Sequence, residues 1–520
     1  MGPKKTSGRL GMDPYSKLLH RFYEPLILSR VLGQTRGTHT SAPHDDESQA
    51  RRRRLLRNLS YLCDYDKGGD MTSSIALEDN AQCYVFWVAS NTVRAGNKII
   101  GFLRSSLEKI HHIIEKEERS LLEAEFVRRC IAFAEPRVKK EAKLLSKAIK
   151  ECKKSINKES SVPDSQLAKW LQQFIPDKGK LMEDVCFQAY DQRKAPELRS
   201  LESDTYSGNG DINIGKYAPP FAEVRHRLGR LAHHVRAPKE VIEDSLELGH
   251  LFNEYKICLV NPPPSNPRPQ ADSLTELHSI LKRMLPANDP KLEEYIEALV
   301  SLDHKFQITN RIRGEYNKKH FQPRVHAEVQ ILEHFCTNQL RYVDDDRYIG
   351  CSKPACYCCH LYFRHHESRP VEPESHQKIY LNWGVPVLPE GSKSPGYNTQ
   401  RDLMNKMLET IRKDALAQII RKAGPLTWHP DSLTGITIST MALPAEKVYE
   451  ENPLERQLTS SSYDSTVPEV IPVTTDTQSC IAEESSSSSL SNDNSSTCET
   501  RGEAVSEFDS DSDSGGGVSL

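Results

Sequence analysis

Two short segments in the second half of the chain constrain its fold more than any other feature. RVHAEVQILEHF places His326 and Glu328 at the start of a predicted helix. YIGCSKPACYCCHLYF places Cys356 and Cys359 at the start of another, directly after a predicted strand. On a helix, residues i and i+3 lie within about 60° of each other, so both sulfurs can face one ion. If the two helix starts abut, His326, Cys356 and Cys359 supply three ligands, as in a catalytic zinc site whose fourth position is open to water.

Glu328 gives this predicted site a chemical role. Side chains in a first helical turn lean back past the helix N-terminus, so His326 and Glu328 can converge on one point. The positive dipole ends of the two helices favour thiolates. Zinc lowers the pKa of a bound water to about 7, and a neighbouring carboxylate can move that proton to a substrate nitrogen. The pattern therefore favours a hydrolytic enzyme that releases ammonia.

Together these residues resemble the signature of the zinc-dependent nucleotide and nucleic-acid deaminases, H-x-E followed by P-C-x-x-C. The chain is most similar to a poorly characterised branch that is common in fungal genomes and similar to predicted deaminase toxins of bacteria. The resemblance implies Zn2+ as cofactor, with His326, Cys356 and Cys359 as its ligands and Glu328 as the proton shuttle. It also implies that Asn91, which closes VFWVASN, contacts the substrate, because in this fold two strands precede the catalytic helix and end in an asparagine.

Two features leave the ligand set open. Pro354 lies one place earlier than in the family signature, and Cys351, Cys358 and His360 offer competing ligands. A fourth protein ligand from Cys351 or Cys358 would exclude water, and hydrolytic chemistry with it. The alternative function is then a catalytically inactive scaffold, in which a structural zinc supports an interaction module for protein or nucleic acid. Glu328 argues against the scaffold, because a structural site needs no proton shuttle.

The strand and helix patterns predict a discontinuous domain. Within residues 55–95, SSIALE and CYVFWVAS flank a polar turn and predict a strand hairpin, the first part of the deaminase domain. Residues 96–319 predict a mostly helical insertion, and residues 320–440 alternate helices and strands, including a strand over residues 378–383. The expected fold class is α/β, a three-layer α/β/α cytidine deaminase-like sandwich with parallel strand pairing and a large helical insertion.

The two ends of the chain differ in composition from the middle. Residues 1–54 are predicted to be disordered or weakly ordered, and their RRRR run at 51–54 suits either a nuclear import signal or the start of a solvated helix. Residues 441–520 are Ser-rich and acidic and are predicted to be disordered. No stretch approaches 18 consecutive apolar residues, and the first residues carry charges but no apolar run of signal-peptide type. The sequence thus predicts an intracellular protein, cytoplasmic or nuclear, with reduced cysteines and no membrane partner.

Three further segments are candidates for binding. RIRGEYNKKHFQPR, which leads into His326, mixes basic and aromatic residues, so Arg313 and Lys318 are candidates for binding substrate phosphates; an ordinary polar loop is the alternative. Residues 137–158 carry nine Lys or Arg against Glu141 and Glu151 and predict either a nucleic-acid contact or a solvated amphipathic helix. A Trp-His-Pro-Asp cluster at 428–431 could close the site. The expected partners are a nucleotide or nucleic-acid substrate and, through the apolar face of the insertion, a second copy of the chain.

Overall fold

The computed structural model describes residues 11–41, 47–159, 166–175, 181–198, 220–318 and 322–424. All of them belong to one compact unit, Met1–Met441, and the second unit, Ala442–Leu520, lies outside the described residues. The predicted disorder of residues 441–520 and the Trp-His-Pro-Asp cluster at 428–431 also lie outside them.

A four-stranded mixed sheet forms the centre of the fold. Its strands are β1 (Ser73–Asp79), β2 (Tyr84–Ser90), β3 (Tyr255–Leu259) and β4 (Gly350–Cys351), in the order β3-β2-β1-β4. The predicted hairpin is confirmed, because β1 and β2 pair antiparallel. The prediction of parallel pairing is correct only for β2 and β3, since β4 runs antiparallel to β1.

Helices cover both faces of the sheet. The side chains of the hairpin alternate, so that one face presents Ile75, Leu77, Phe86 and Val88 and the other presents Ala76, Trp87 and Ala89. The first face packs against α2 (Glu47–Cys63) and α3 (Gly96–Ile114). The second face packs against α12 (Ala327–Thr337), the helix that follows His326. The α/β fold class with helices on both sides of the sheet is therefore confirmed.

Part of the region predicted as a helical insertion has a core of its own. Its helices after α3 are α4 (Ser120–Phe133), α5 (Glu135–Glu159), α6 (Gln166–Gln172), α7 (Met182–Asp191), α8 (Pro220–Glu247), α9 (Leu277–Met284), α10 (Leu292–Phe306) and α11 (Ile308–Tyr316). This core extends from α4 to α8, and Leu145, Ile149 and Cys152 of α5 are buried in it, as their helical spacing predicts. The region also contains β3, which the sequence analysis missed because its pairing with β2 overrides the surrounding helical pattern.

The segment after β4 holds two helices but lacks the predicted strand at 378–383. The helices are α13 (Tyr357–His365) and α14 (Tyr397–Ile420). Lys378 makes a single β-bridge with Thr35, and Trp383 makes one with Arg324. These bridges are isolated, so residues 378–383 do not form a strand ladder with another segment of the described chain. Among the described helices, none is both long enough and apolar enough to cross a bilayer.

The N-terminal region is the main correction to the predicted organisation. The sequence predicts a disordered or weakly ordered segment over residues 1–54, yet α1 (Pro14–Leu32) is a helix capped by Asp13 whose apolar residues enter the main core, the one that also contains α12 and α13. The arginine run lies in α2, where its charges are paired rather than solvated. Arg53 pairs with Asp346 at 2.7 Å. From composition alone these arginines were expected to be exposed. Their carboxylate partners could not be recognised because they lie far away in the sequence.

We expect replacement of Asp346 to destabilise the fold strongly. Its side chain is 2% exposed and pairs with both Arg52 and Arg53, so Asp346→Ala removes the buried carboxylate that Arg53 binds and leaves Arg52 paired with the exposed Asp344. The free energy of unfolding should fall by about 3–5 kcal/mol in a urea titration. Lys109→Ala, which removes the exposed pair with Glu125, should cost less than about 1 kcal/mol. Equal losses in the two variants would contradict this account.

Candidate metal centre

The first helix start is fixed to the end of the hairpin. His326 is extended (φ −70°, ψ 153°) and is the N-cap residue of α12, with Glu328 in the first turn. The side chain of Asn91, just beyond β2, accepts a hydrogen bond from the backbone N–H of Ala327 at 2.7 Å. Gln330 donates through Nε2 to the carbonyl of Ser90 at 3.2 Å. Both contacts tie the His326 segment to the sheet.

The second helix start brings two thiols to the same place. Cys356 is the N-cap residue of α13, and its Sγ accepts a hydrogen bond from the backbone N–H of Cys359 at 3.5 Å. Neighbouring segments hold this turn, since Ala355 donates to the carbonyl of Glu374 at 2.7 Å and Tyr357 donates to the carbonyl of Lys378 at 2.9 Å.

His326, Cys356 and Cys359 converge with metal-ligand geometry. The Nδ1 atom of His326 lies 3.6 Å from Sγ of Cys356 and 3.4 Å from Sγ of Cys359. A tetrahedral zinc with ordinary bond lengths would separate a nitrogen and a sulfur ligand by about 3.6 Å. All three side chains are buried, and their ligand atoms lie within 4.8 Å of one another. The group could therefore hold a metal ion.

The competing ligands point elsewhere. Cys351 accepts a hydrogen bond from the Ser74 hydroxyl at 3.3 Å, and Cys358 is buried like Cys356 and Cys359 but does not belong to the group of three. His360 lies against the guanidinium of Arg364, with 2.9 Å between Nε2 and Nη2. Within the described part of the chain, no fourth histidine, cysteine or acidic residue joins the group. Three protein ligands correspond to an open site, because structural zinc sites take four.

Glu328 adds a carboxylate beside these ligands. Its side chain is buried, and its Oε2 atom accepts no hydrogen bond from the described residues. The carboxyl also interacts with Cys359, whose pKa it helps to raise. A buried polar atom without a partner is costly, and at this position the atom could accept a proton or bind an ion.

The charges of the group are strongly coupled. Burial raises the pKa of the Cys356 thiol, but the hydrogen bond from Cys359 and the His326 ring outweigh it and lower that pKa to about 6. Burial opposes charge on His326, yet Cys356 and Glu328 raise the pKa of its ring above the ordinary value. For Cys359, burial and the neighbouring Cys356 raise the pKa well above the usual range. Cys356 is thus the thiol most readily converted to the thiolate that binds metals.

A loop formed by residues 64–72, the Gly68 loop, contacts all three segments that form the site. The carbonyl of Gly69 accepts a hydrogen bond from Nδ2 of Asn91 at 2.7 Å. The carbonyl of Gly68 accepts one from Nζ of Lys353, just before the cysteines, at 2.5 Å. Asp70 pairs with Arg324, two residues before His326, at 2.5 Å. The loop therefore joins the hairpin to both helix starts.

The opposite side of the Gly68 loop binds the helical insertion. Asp66 pairs with Lys140 at 2.8 Å, and Lys67 pairs with the buried Glu141 at 3.6 Å, both on α5. Neither the Gly68 loop nor Lys353 was predicted from the sequence as part of the site. The only local signal was the Gly-Gly pair, since the contacts themselves join residues far apart in the chain.

The three predicted substrate-binding residues, Asn91, Arg313 and Lys318, lie in different environments. Asn91 lies at the site, but its side-chain oxygen and nitrogen already bind Ala327 and Gly69. Arg313 and Lys318 are exposed, and Lys318 pairs with Glu315 at 2.8 Å. None of their described contacts reaches the ligand group, and residues 319–321 lie outside the described part.

Comparison with known proteins gives one match, and it falls on the site. Residues 325–387 match the family model of the OTT_1508_deam-like deaminases, and this span contains all three ligands and Glu328. No curated protein and no solved structure matches the chain. The matched segment and the ligand geometry together support a deaminase-family assignment for this part of the chain.

Proposed function

We propose that the protein is a zinc-dependent hydrolase that removes the exocyclic amine of a nucleobase carried by a nucleotide or nucleic acid. The observation that carries the proposal is the convergence of His326, Cys356 and Cys359 beside the carboxylate of Glu328. The family match supports deamination. One imidazole and two thiols form a donor set that suits zinc.

Zinc held by these three residues would lower the pKa of a bound water to about 7. The chain itself supplies the proton transfers. Glu328 takes a proton from the attacking water, whose oxygen bonds to the ring carbon that carries the amine. Glu328 gives this proton to the adjacent ring nitrogen and then moves the remaining hydroxyl proton to the amine nitrogen, so that the carbon–nitrogen bond breaks and ammonia leaves a carbonyl group behind. Burial of Glu328 excludes bulk water, which strengthens these charge interactions.

The remaining candidate residues are proposed to support binding. Asn91 positions the start of α12 through Ala327, and we propose that it also meets the substrate. Arg313 and Lys318 are exposed cations that would interact with substrate phosphates outside the buried centre.

Zinc content tests the ligand set directly. The purified chain should contain one zinc, and X-ray absorption should show about two sulfur and two lighter ligands. Cys356→Ser should lose the metal, because two ligands cannot hold zinc at comparable affinity. Cys351→Ser is the control and should keep it, since Cys351 bonds with Ser74 outside the ligand group. Three or four sulfur ligands would exclude an open site and contradict the proposal.

Glu328→Gln tests the proton shuttle. This variant should keep its zinc but release ammonia about 10²- to 10⁴-fold more slowly, because the amide cannot accept and return the proton. Ammonia release should be measured on cytosine, adenine and guanine, each as nucleoside, nucleotide and oligonucleotide. Glu333→Gln is the matched control on the same helix; Glu333 accepts a hydrogen bond from Tyr362 at 2.7 Å and should leave the rate unchanged. A zinc-loaded protein inactive on every substrate would favour the scaffold function.

A further inference from the structure

One exposed face of α5 carries only positive charge. At 100° per residue, six lysines fall within an arc of about 100° and along about 22 Å of the helix axis. This lysine face consists of Lys139, Lys140, Lys143, Lys147, Lys150 and Lys154. Between positions 139 and 154 the arc contains no acidic residue: Glu141 is buried on the opposite side, and Glu151 lies just beyond the edge.

The charges of the lysine face are poorly compensated within the chain. Lys139 pairs with Glu135 at 2.9 Å, and this exposed pair contributes little. Lys154 makes a similar exposed pair with Glu151. The three central lysines form no ion pair with any described residue: Lys143, Lys147 and Lys150.

Packing of the helix does not require this concentration of charge. The opposite side of α5 is already buried in the core of the insertion through residues such as Leu145 and Ile149. A face that only needs hydration commonly mixes both signs, because like charges repel one another. A single-sign face of this length is instead typical of a surface that binds a polyanion.

The lysine face begins where α5 meets the site. Lys140 pairs with Asp66 of the Gly68 loop at 2.8 Å. Three residues further along that loop, Gly69 binds Asn91, which in turn binds Ala327 beside His326. A polyanion bound on the lysine face would therefore approach the metal centre at this end of the helix.

We infer that the lysine face binds the phosphate backbone of a single-stranded nucleic acid and delivers one of its bases to the site. A free nucleotide cannot contact lysines spread over about 22 Å, whereas a strand presents phosphates at regular intervals. A single strand is favoured over a duplex because a buried centre requires an unpaired base. The delivery role and the choice of a single strand over a duplex rest on the deaminase function proposed above; the binding of a phosphate backbone does not.

Fluorescence anisotropy with a labelled single strand of about 20 nucleotides, as DNA and as RNA, tests the inference. Each phosphate contact contributes about 0.7 to the slope of log affinity against log salt. In K143Q/K147Q/K150Q the slope should therefore fall by about 2, and affinity in about 0.1 M salt should fall at least about tenfold. The matched control is K291Q/K406Q/K413Q, which removes three exposed lysines that lie outside α5 and should leave slope and affinity unchanged.

The outcomes separate this inference from the proposed deamination. Equal binding by the two triple variants, or no binding by the natural protein, would overturn it. Binding of a polyglutamate peptide as tightly as of the strand would also overturn it, by pointing to an acidic protein instead. Zinc content and ammonia release from a mononucleotide should be unchanged in K143Q/K147Q/K150Q. Loss of strand binding alone thus reports on the lysine face, whereas loss of ammonia release in Glu328→Gln reports on the chemistry.

Discussion

The side-chain amide of Asn91 is the contact on which the geometry of the site depends. Its oxygen binds the first turn of α12 and its nitrogen binds the Gly68 loop, so one residue fixes a helix, a loop and the end of β2. His326 is the residue immediately before that turn, so the position of its ring depends on the position of α12. Metal ligands function only when held closely in place, so such supporting contacts matter as much as the ligands.

Buried charge joins the Gly68 loop and the site to the helical insertion. Apolar packing also crosses this boundary, since α3 and α4 share a hydrophobic core with the hairpin. Asp64 pairs with Arg137 of α5 at 3.3 Å and with Lys353 at 3.2 Å, and Glu141 of α5 pairs with Lys67 at 3.6 Å. Pairs of this kind are costly to break but impose a specific arrangement, whereas apolar surfaces tolerate sliding. The charges therefore add a specific arrangement to the apolar contact between the insertion and the site.

The sequence predicted the local features and missed the long-range ones. Periodicity identified the hairpin and the starts of α12 and α13, since these depend on neighbouring residues. The spacing of His326, Cys356 and Cys359 identified the ligand group, but the exclusion of Cys351 required the observed bond to Ser74. It was not predictable that α1 and α2 are ordered, that β3 is a strand or that the Gly68 loop contacts the site. Each of these features depends on a partner distant in the chain.

The length of the insertion has a consequence for the order of folding. Asn91 and Ala327 are separated by 236 positions, so the hairpin is synthesised long before the helix that it positions. The part of the insertion from α4 to α8 has its own core and can fold on the ribosome during that interval. Closing the long loop afterwards adds little entropic cost, because that cost grows only logarithmically with length. All three residues of the ligand group follow the insertion in the chain, so the group can take its place beside the hairpin only after the insertion has been synthesised.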